Sequence, residues 1–420
     1  MFLSPKSSSA AIQISTNIFY QLAGKIVGAG TTFFVTLYLA RLLGPLGYGD
    51  IVKVVMYVSA FFIIADFGFN AVYLSDAQTQ YTFPSLFFLR LLWSFVLLGI
   101  AYVLLGVVPV GINDGYTLVV RTGILLYAPS ILFQSIITTS NAVFQKHLRY
   151  DYSFYSVSFG SFVGLFALYF FSTIPFSPPL IGAGVYLSAS IASAVFAFIC
   201  MSRLERLTTH YNGEYMKKLF VASFPVGLTL MANLIYAHAD SVILTLTRTT
   251  IEVGTYGFAY RFFETILVIP TFIMNASYPI LLTSKQQSFI SLVTRYRKLG
   301  FALTLLSVVF GVSVWILAPF LSVIRPDFST SAEYLRILAL SLPLFFLSSL
   351  VMWMLFVFNK RWELSVIYLI AMVINIGANV LFVPTYGAHA SAWITLCSEA
   401  LVLVATHSVL LRAWSEYKKQ

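Results

Sequence analysis

Twelve apolar stretches, each about as long as a bilayer is thick, run through this chain with only short polar links between them. The hydrocarbon core of a membrane needs roughly 20 apolar residues of helix to cross it, and a soluble fold has no use for so many runs of that length. The sequence therefore predicts an all-α polytopic membrane protein with about twelve transmembrane helices. The predicted spans are roughly 17–40, 51–74, 86–108, 118–144, 152–172, 180–201, 219–246, 254–281, 299–323, 333–358, 364–383 and 388–411.

The composition excludes a soluble enzyme. Only 10% of the 420 residues are charged and 59% are hydrophobic, with a mean hydropathy of +0.88, whereas an ordinary soluble domain carries about 25% charged residues. Cys200 and Cys397 fall in apolar segments, so we expect neither a disulfide framework nor a thiolate metal site. No nucleotide-binding loop, metal-ligand spacing or Ser-His-Asp pattern is visible, so we predict no enzyme activity, no cofactor and no metal. The first apolar segment is long enough to span, so we expect no cleaved signal peptide.

The net charge of +10 is a signal of membrane topology rather than of nucleic-acid binding. Basic residues concentrate in alternate links, and cytoplasmic loops are the ones that collect Lys and Arg. Both termini should therefore lie in the cytoplasm, as an even number of spans requires. The opposite links hold little beyond Arg41, Arg248 and Arg325. The basic links contain Lys6, Lys146, Arg149, Arg203, Arg206, Lys217, Lys218, Lys285, Arg295, Arg297, Lys298, Lys360, Arg361, Lys418 and Lys419.

The longest link divides the chain into two predicted halves of six spans each. We place an N-terminal bundle at 1–201, a cytoplasmic linker at 202–218 and a C-terminal bundle at 219–420. Six is an even number, so the halves have the same orientation and form a parallel repeat about an axis along the membrane normal. Substrate sites in such proteins lie between the repeats, near the middle of the bilayer.

Internal similarity supports the repeat. Tyr48-Gly49 and Lys53, at the start of the second span, recur 208 residues later as Tyr256-Gly257 and Arg261 at the start of the eighth. A further irregularity marks the seventh span, where Pro225 interrupts the backbone hydrogen bonds and allows the helix to bend. We therefore consider Pro225 with Gly227 the better candidate for a hinge, and close packing between helices is the alternative.

Ionisable residues inside the predicted spans are candidate functional residues, because each costs about 2.5–3.5 kcal/mol at the centre of the bilayer. In the first half, Lys25 and Asp66 lie at matching depth and are expected to pair, either for packing alone or as part of a site. Arg90 has no obvious acidic partner in the sequence. It either extends to the inner interface or adds a second cation to the same site.

The second half carries a denser group of charges. His238 and Asp240 are expected at the same depth as Arg261 and Glu264, and the latter two share one helical face because they lie three residues apart. Two interpretations remain open: a self-neutralised packing cluster, or a site in which a carboxylate exchanges a proton or sodium ion while Arg261 binds an anion. Glu399, in the middle of the last span, has no evident basic partner and is a candidate ion relay.

Two polar stripes also cross the lipid zone. Gln134, Thr138, Asn141 and Gln145 recur at helical spacing at the fourth span, and Asn375 and Asn379 form a shorter stripe in the eleventh. Hydrogen bonds between helices explain such stripes, and a water-filled lumen is the alternative.

The first half contains the motifs LARLLGP (39–45), YG (48–49) and DFG (66–68), and the second half contains DSVIL (240–244) and VGTYGFA (253–259). These motifs resemble those of the polysaccharide transporter family, which includes Wzx-type O-antigen and capsule-repeat flippases of the multidrug/oligosaccharidyl-lipid/polysaccharide exporter superfamily. The resemblance implies two six-helix bundles arranged as a V around a central cavity that opens alternately to either side.

The resemblance also implies a substrate and a location. The expected substrate is an undecaprenyl-pyrophosphate-linked oligosaccharide, moved between the leaflets of the bacterial inner membrane, with membrane lipids and polysaccharide polymerase or assembly proteins as further partners and no nucleic acid. A pyrophosphate requires cations at low dielectric. The expected substrate-binding residues are Lys25, Lys53, Arg90, Arg261, Gln134 and Asn141, and the expected ion-coupling residues are Asp66, Asp240, Glu264 and Glu399.

Two alternatives compete with a flippase. A drug/cation antiporter of the same superfamily would favour carboxylates in its first span, where this chain has Lys25. A membrane glycosyltransferase or O-antigen polymerase usually carries a long extracytoplasmic loop, whereas the outer links here are all short, including 109–117 and 324–332.

Overall fold

The computed structural model describes residues 5–75, 82–208 and 211–418, and these residues are almost entirely helical, with no strand among them. The predicted all-α fold is therefore confirmed. Two 3-10 turns, Ala318–Phe320 and Pro326–Phe328, flank α11. The helices are α1 (Pro5–Asp66), α2 (Phe69–Ser75), α3 (Thr82–Val107), α4 (Leu118–Tyr127), α5 (Ser130–Lys146), α6 (Tyr150–Ser172), α7 (Pro178–Leu204), α8 (Gly213–Thr247), α9 (Thr250–Gln287), α10 (Phe289–Leu317), α11 (Leu321–Ile324), α12 (Ser329–Val357) and α13 (Arg361–Lys418).

Nine helical segments of the described chain are long and apolar enough to cross a membrane, so the chain is a multi-pass membrane protein. The two longest, Phe19–Leu74 and Arg361–Lys418, each cover two of the spans expected from the sequence. Phe19–Leu74 contains two glycines with a non-helical backbone, Gly44 and Gly68, and Arg361–Lys418 contains one, Gly387. The count of twelve spans stays a prediction.

The chain divides into two compact units, each built from two stretches of sequence. Unit 1 comprises residues 1–39 and 50–231, and unit 2 comprises residues 40–49 and 232–420. The division thus falls inside α1 and inside α8. The domain boundaries inferred from the longest link remain a prediction.

Unit 1 has an apolar interior closed by small residues. One cluster of buried side chains surrounds Val54 and Ile124, and a second surrounds Phe69 and Phe144. Helices α6 and α7 approach closely at Gly160, where a β-carbon would collide with α7. Contacts between small residues allow helices to pack tightly in lipid, where the hydrophobic effect supplies no driving force between them.

Unit 2 includes residues 40–49 of the long first helix, α1. The ring of Tyr48 packs edge-on against Phe258 at 5.8 Å between ring centroids, and against Phe328 at 6.3 Å. Gly49 and Gly254 lie so close to each other's helix that a β-carbon on either would collide with the opposite backbone. Segment 40–49 is therefore held in unit 2 by both aromatic and backbone contacts.

Candidate functional site

Arg90 of α3 is wholly enclosed in unit 1, with 0% of its side chain exposed. Its Nη2 lies 3.3 Å from Oδ1 of Asp66, and its Nη1 donates to the Thr139 hydroxyl of α5 at 3.2 Å. From the sequence, Arg90 had no obvious acidic partner, and its side chain was expected either to extend to the inner interface or to add a cation to the site. The lack of a partner and the extension to the interface are both wrong, because the guanidinium points inward between α1, α3 and α5.

Lys53 of α1 is also enclosed in unit 1. Its side chain is 0% exposed, and Nζ lies 3.7 Å from Oδ1 of Asp50, three residues earlier in the same helix. Lys25, in contrast, is exposed. The carboxylate expected to pair with Lys25 is the one that contacts Arg90, so the Lys25–Asp66 pair stays a prediction.

The polar stripe of α5 is half-buried in unit 1. The Asn141 amide oxygen accepts a hydrogen bond from the Ser153 hydroxyl of α6 at 2.8 Å. The Thr138 hydroxyl donates to the backbone carbonyl of Gln134 in its own helix at 2.9 Å. A hydrogen bond between helices thus accounts for Asn141, while the Gln134 side chain remains half-buried on the same helix.

Arg261 and Glu264 form an ion pair on one face of α9, as their spacing predicts. The distance from Nη1 of Arg261 to Oε2 of Glu264 is 3.2 Å. The two side chains are 34% and 33% exposed, so this pair is partly open where the Arg90 pair is closed. A partly open ion pair gains little from its own Coulomb attraction.

Asp240 of α8 is buried in unit 2, with 4% of the residue exposed. The hydroxyl of Tyr256 donates to its Oδ2 at 2.6 Å, and the backbone N–H of Ser241 donates to its Oδ1 at 2.7 Å. Both carboxylate oxygens are therefore engaged by neutral donors, which hold the group in place without neutralising its charge.

Glu399 of α13 is the second buried carboxylate of unit 2, at 3% exposure. The Tyr236 hydroxyl of α8 lies 3.4 Å from its Oε2, and the Tyr236 ring packs edge-on against Tyr368 at 6.1 Å. The expected relay carboxylate thus lies in a tyrosine-lined interior that the sequence did not predict.

Both amides of the short polar stripe in the eleventh predicted span donate hydrogen bonds. The Asn375 amide donates to the Ser398 hydroxyl at 3.0 Å, across the two arms of α13. The Asn379 amide donates to Oδ1 of Asn375, also at 3.0 Å. A bond between helices therefore accounts for Asn375, whereas the Asn379 amide bonds within its own helical arm.

The contact of Arg325 with the break at Gly44 in unit 2 was not predicted from the sequence. Gly44 has a φ of 69°, and Nη1 of Arg325 donates to the backbone carbonyl of Arg41 at 3.2 Å, just before this break in the helix. A β-carbon at Gly44 would lie 2.9 Å from the Arg325 guanidinium carbon. Arg325 therefore satisfies carbonyls that the break leaves without helical partners.

A similar arrangement fixes the break in α13. Gly387 has a φ of 63°, and the adjacent N–H of Ala388 donates to Glu252 at 2.7 Å. Arg248 pairs with that glutamate at 2.8 Å and donates to the Pro384 carbonyl at 3.2 Å. The available signal was that Arg248 and Arg325 are isolated basic residues in links that are otherwise poor in them.

Charged residues also pair at the end of unit 1 where α5 and α7 terminate. Oε1 of Glu205 lies 2.6 Å from Nζ of Lys146 and 3.0 Å from Nε2 of His147. Burial raises the pKa of Glu205, but the hydrogen bonds from Lys146 and His147 outweigh that effect and hold the pKa below its ordinary value of 4.5. The corner between α5 and α6 is thus tied to the residue that follows α7.

Comparisons with solved structures identify the fold. A structure described as lipid II flippase MurJ in an inward closed conformation is similar with a TM-score of 0.72 at 15% identity, over 95% of this chain and 90% of that one. An inward-facing multidrug resistance MATE transporter of the MOP superfamily gives 0.66 at 15% identity, over 96% of both chains. A mutant of the Vibrio cholerae MATE transporter VcmN gives 0.58 at 15% identity, over 98% and 97%.

These structures are transporters and a flippase, and the expectation that the chain is not an enzyme agrees with them. No curated protein matches the chain closely enough to count as a relative. The model of one family, described as polysaccharide biosynthesis protein, matches residues 14–285, well over half of the chain. The resemblance inferred from the motifs is confirmed, and the chain belongs to the polysaccharide biosynthesis protein family, with the fold of MOP-superfamily transporters.

Proposed function

We propose that the chain is a flippase for undecaprenyl-pyrophosphate-linked oligosaccharide repeat units, such as those of O-antigen, lipopolysaccharide or capsule. It moves them from the cytoplasmic to the periplasmic leaflet of a bacterial inner membrane by alternating access, with both termini in the cytoplasm. The observation that carries this proposal is that one chain combines the polysaccharide biosynthesis family with the fold of a lipid II flippase. Polysaccharide polymerase and assembly proteins then act on the delivered unit.

The pyrophosphate binds to basic side chains within the membrane. The more exposed of these side chains are the stronger candidates for this contact. Arg261 is 34% exposed and Lys25 is exposed, so both are accessible to a headgroup without rearrangement of their own unit. Lys53 is enclosed beside Asp50 and contributes only after that contact opens. A pyrophosphate competes with Glu264 for Arg261, and its two phosphates accept the paired N–H groups of a guanidinium in a bidentate manner.

The sugars bind to uncharged polar groups, of which Gln134 and Asn141 are the candidates. Both side chains are half-buried on α5, the helix that also carries Thr138. Amide side chains donate and accept at once, which suits hydroxyl groups of differing orientation. This division of labour leaves the charge of the headgroup to the basic residues.

Ion coupling belongs to the buried carboxylates Asp240 and Glu399. Their hydrogen-bond partners Tyr256, Ser241 and Tyr236 are neutral, so a proton or sodium ion is able to neutralise each carboxylate. Asp66 and Glu264, the other two candidates, each lie within 3.3 Å of an arginine, which makes them weaker choices. The membrane potential adds a driving force, because each negative charge moved outward gains about 2.3 kcal/mol per 100 mV.

The test is translocation in proteoliposomes. A polyprenyl-pyrophosphate oligosaccharide with a fluorescent sugar is placed in both leaflets, and a membrane-impermeant quencher reports how fast the inner pool becomes accessible. We expect the protein to accelerate this exchange and Arg261→Gln to slow it at least tenfold, which is about 1.4 kcal/mol. Arg336→Gln is the matched control, because Arg336 lies in unit 2 but donates to the Trp315 carbonyl and stacks on its ring. Equal rates with and without protein would refute the proposal.

A drug/cation antiporter is the second candidate, favoured by the MATE fold at a TM-score of 0.66 over 96% of both chains. The same vesicles discriminate the two functions when loaded with a fluorescent quaternary ammonium compound and placed in a proton or sodium gradient. Gradient-driven movement of the cation, without movement of the lipid, would establish the antiporter instead. The exposed Lys25 in α1 argues against it, because like charges repel at low dielectric.

A further inference from the structure

The junction between α1 and α2 in unit 1 is a sharp break in an otherwise helical stretch. Phe67 has a φ of 45° and Gly68 a φ of 74°, between the end of α1 at Asp66 and the start of α2 at Phe69. A residue other than glycine is strained at positive φ, so the conformation of Phe67 must be held by its surroundings. The break also leaves carbonyls of the last turn of α1 without helical partners.

Two side chains of α3 donate to those carbonyls. Nε1 of Trp93 donates to the Ile64 carbonyl at 3.0 Å, and Nη2 of Arg90 donates to the Asp66 carbonyl at 3.4 Å and to its carboxylate at 3.3 Å. Arg90 and Trp93 lie three residues apart, so they share one face of α3. This face of α3 therefore caps the broken end of α1 at two points.

The same break is in contact with α8. The Phe67 ring stacks on Phe220 with 5.1 Å between centroids and 18° between planes. A β-carbon at Gly227 would lie 2.7 Å from the Phe67 ring, and Gly68 packs as closely against Val226. The break thus fits against α8 on both sides of Pro225, the proline inside that helix. The boundary between the two units follows at Met231, six residues after the proline.

We propose that Arg90 and Trp93 are positioning residues that hold Phe67 against α8, so that α8 stays fixed to unit 1 up to Gly227 and bends only beyond that residue. This role goes beyond the proposed function and replaces a substrate contact for Arg90, whose guanidinium is fully enclosed. Side chains of α3 hold the break in place, and the ring of Phe67 is the contact through which the break holds α8. Glycine at 227 leaves the space that the ring occupies.

The test is hydrogen exchange measured by mass spectrometry on the full chain in lipid nanodiscs, without substrate. Trp93→Phe removes one donor and keeps most of the ring's packing. We expect exchange to become at least fivefold faster in peptides covering 64–70 and also in 217–231, while 118–130 in the same unit keeps its rate. Arg90→Lys, which keeps the charge but loses the forked donor, should give the same pattern.

Arg121→Gln is the matched control, because Arg121 also donates to backbone carbonyls of unit 1, those of Val108 and Tyr116. It should speed exchange near 108–117 and leave 217–231 unchanged. Gly227→Val approaches from the other side: the added side chain displaces Phe67, so exchange at 64–70 should rise although α3 is untouched. That reciprocal effect is not expected of residues that merely stabilise unit 1.

Faster exchange at 64–70 with no change at 217–231, in both α3 variants, would overturn the proposal. An even rise across all of unit 1 would overturn it as well, because it would show a general loss of stability. The exchange readout needs no substrate and no transport. A failed flipping assay with this coupling intact would therefore refute the proposed function and leave the positioning role standing.

Discussion

Arg90 in unit 1 and Arg261 in unit 2 are both intramembrane arginines paired with a carboxylate, at 3.3 Å and 3.2 Å, yet their surroundings differ completely. Arg90 is 0% exposed and reaches across to another helix, whereas Arg261 is 34% exposed and pairs within its own helix. The first arginine also donates to a backbone carbonyl at a helix break. The two ion pairs thus have nearly the same length but differ in burial, and of these two arginines the proposed function assigns a ligand contact to Arg261 alone.

The largest expected effect on stability comes from the Arg90–Asp66 pair, in which the arginine is fully buried and the aspartate is partly exposed. Asp66→Asn leaves the fully buried Arg90 charge without compensation, so the free energy of unfolding should fall by about 3 kcal/mol. Unfolding by SDS in mixed micelles measures the change. Arg90→Met leaves only Asp66 uncompensated, and because 38% of that side chain is exposed to solvent the loss should be smaller, about 2 kcal/mol. A larger loss for Arg90→Met than for Asp66→Asn would reverse this view of the pair.

The open pair should respond in function rather than in stability. Glu264→Gln removes the carboxylate that competes for Arg261, so the apparent affinity for a pyrophosphate headgroup should rise roughly threefold, about 0.7 kcal/mol, with a change in unfolding free energy of less than about 0.5 kcal/mol. Competition by soluble pyrophosphate in the flipping assay reports the affinity. A fall in affinity would show that Glu264 orients the arginine instead of competing for the ligand.

The third pair, Lys146–Glu205, lies between these extremes, at 17% and 22% exposure, and gives the smallest effect. Because its pKa is lowered in the folded state, Glu205 contributes stability that is present above pH 4.5 and lost as the pH falls through the folded value. The difference in melting temperature between wild type and Glu205→Gln should therefore shrink as the pH falls below about 4.5. A difference that grows as the pH falls below this value would contradict the lowered pKa.

The parts that sequence predicts well are those decided by local spacing. Long apolar runs predicted the helical membrane fold, and the separation of Arg261 and Glu264 by three residues predicted their shared face and contact. The pairing of Asp66 with Arg90 was missed because it depends on how α1 and α3 are rotated about their axes. A helix that is apolar on all sides gives no indication of this rotation in its sequence. Depth alone matched Asp66 to Lys25, and depth is shared by every helix in the bundle.

The breaks in the helices show the same limit. A Gly-Pro pair at 44–45 signals an interruption, but nothing local indicates that Arg325 fills the space beside Gly44, since their partnership spans most of the chain. The role of Glu252 beside Gly387 is equally remote in sequence. Contacts that satisfy a backbone carbonyl have no fixed spacing and become visible only in the folded chain.

Unit 1 keeps residues 213–231 of α8, and unit 2 keeps residues 40–49 of α1. A gene split in the link between α7 and α8 would therefore encode two fragments, each retaining a piece that the other requires to complete its fold. We therefore expect neither fragment to complete its fold when it is produced without the other.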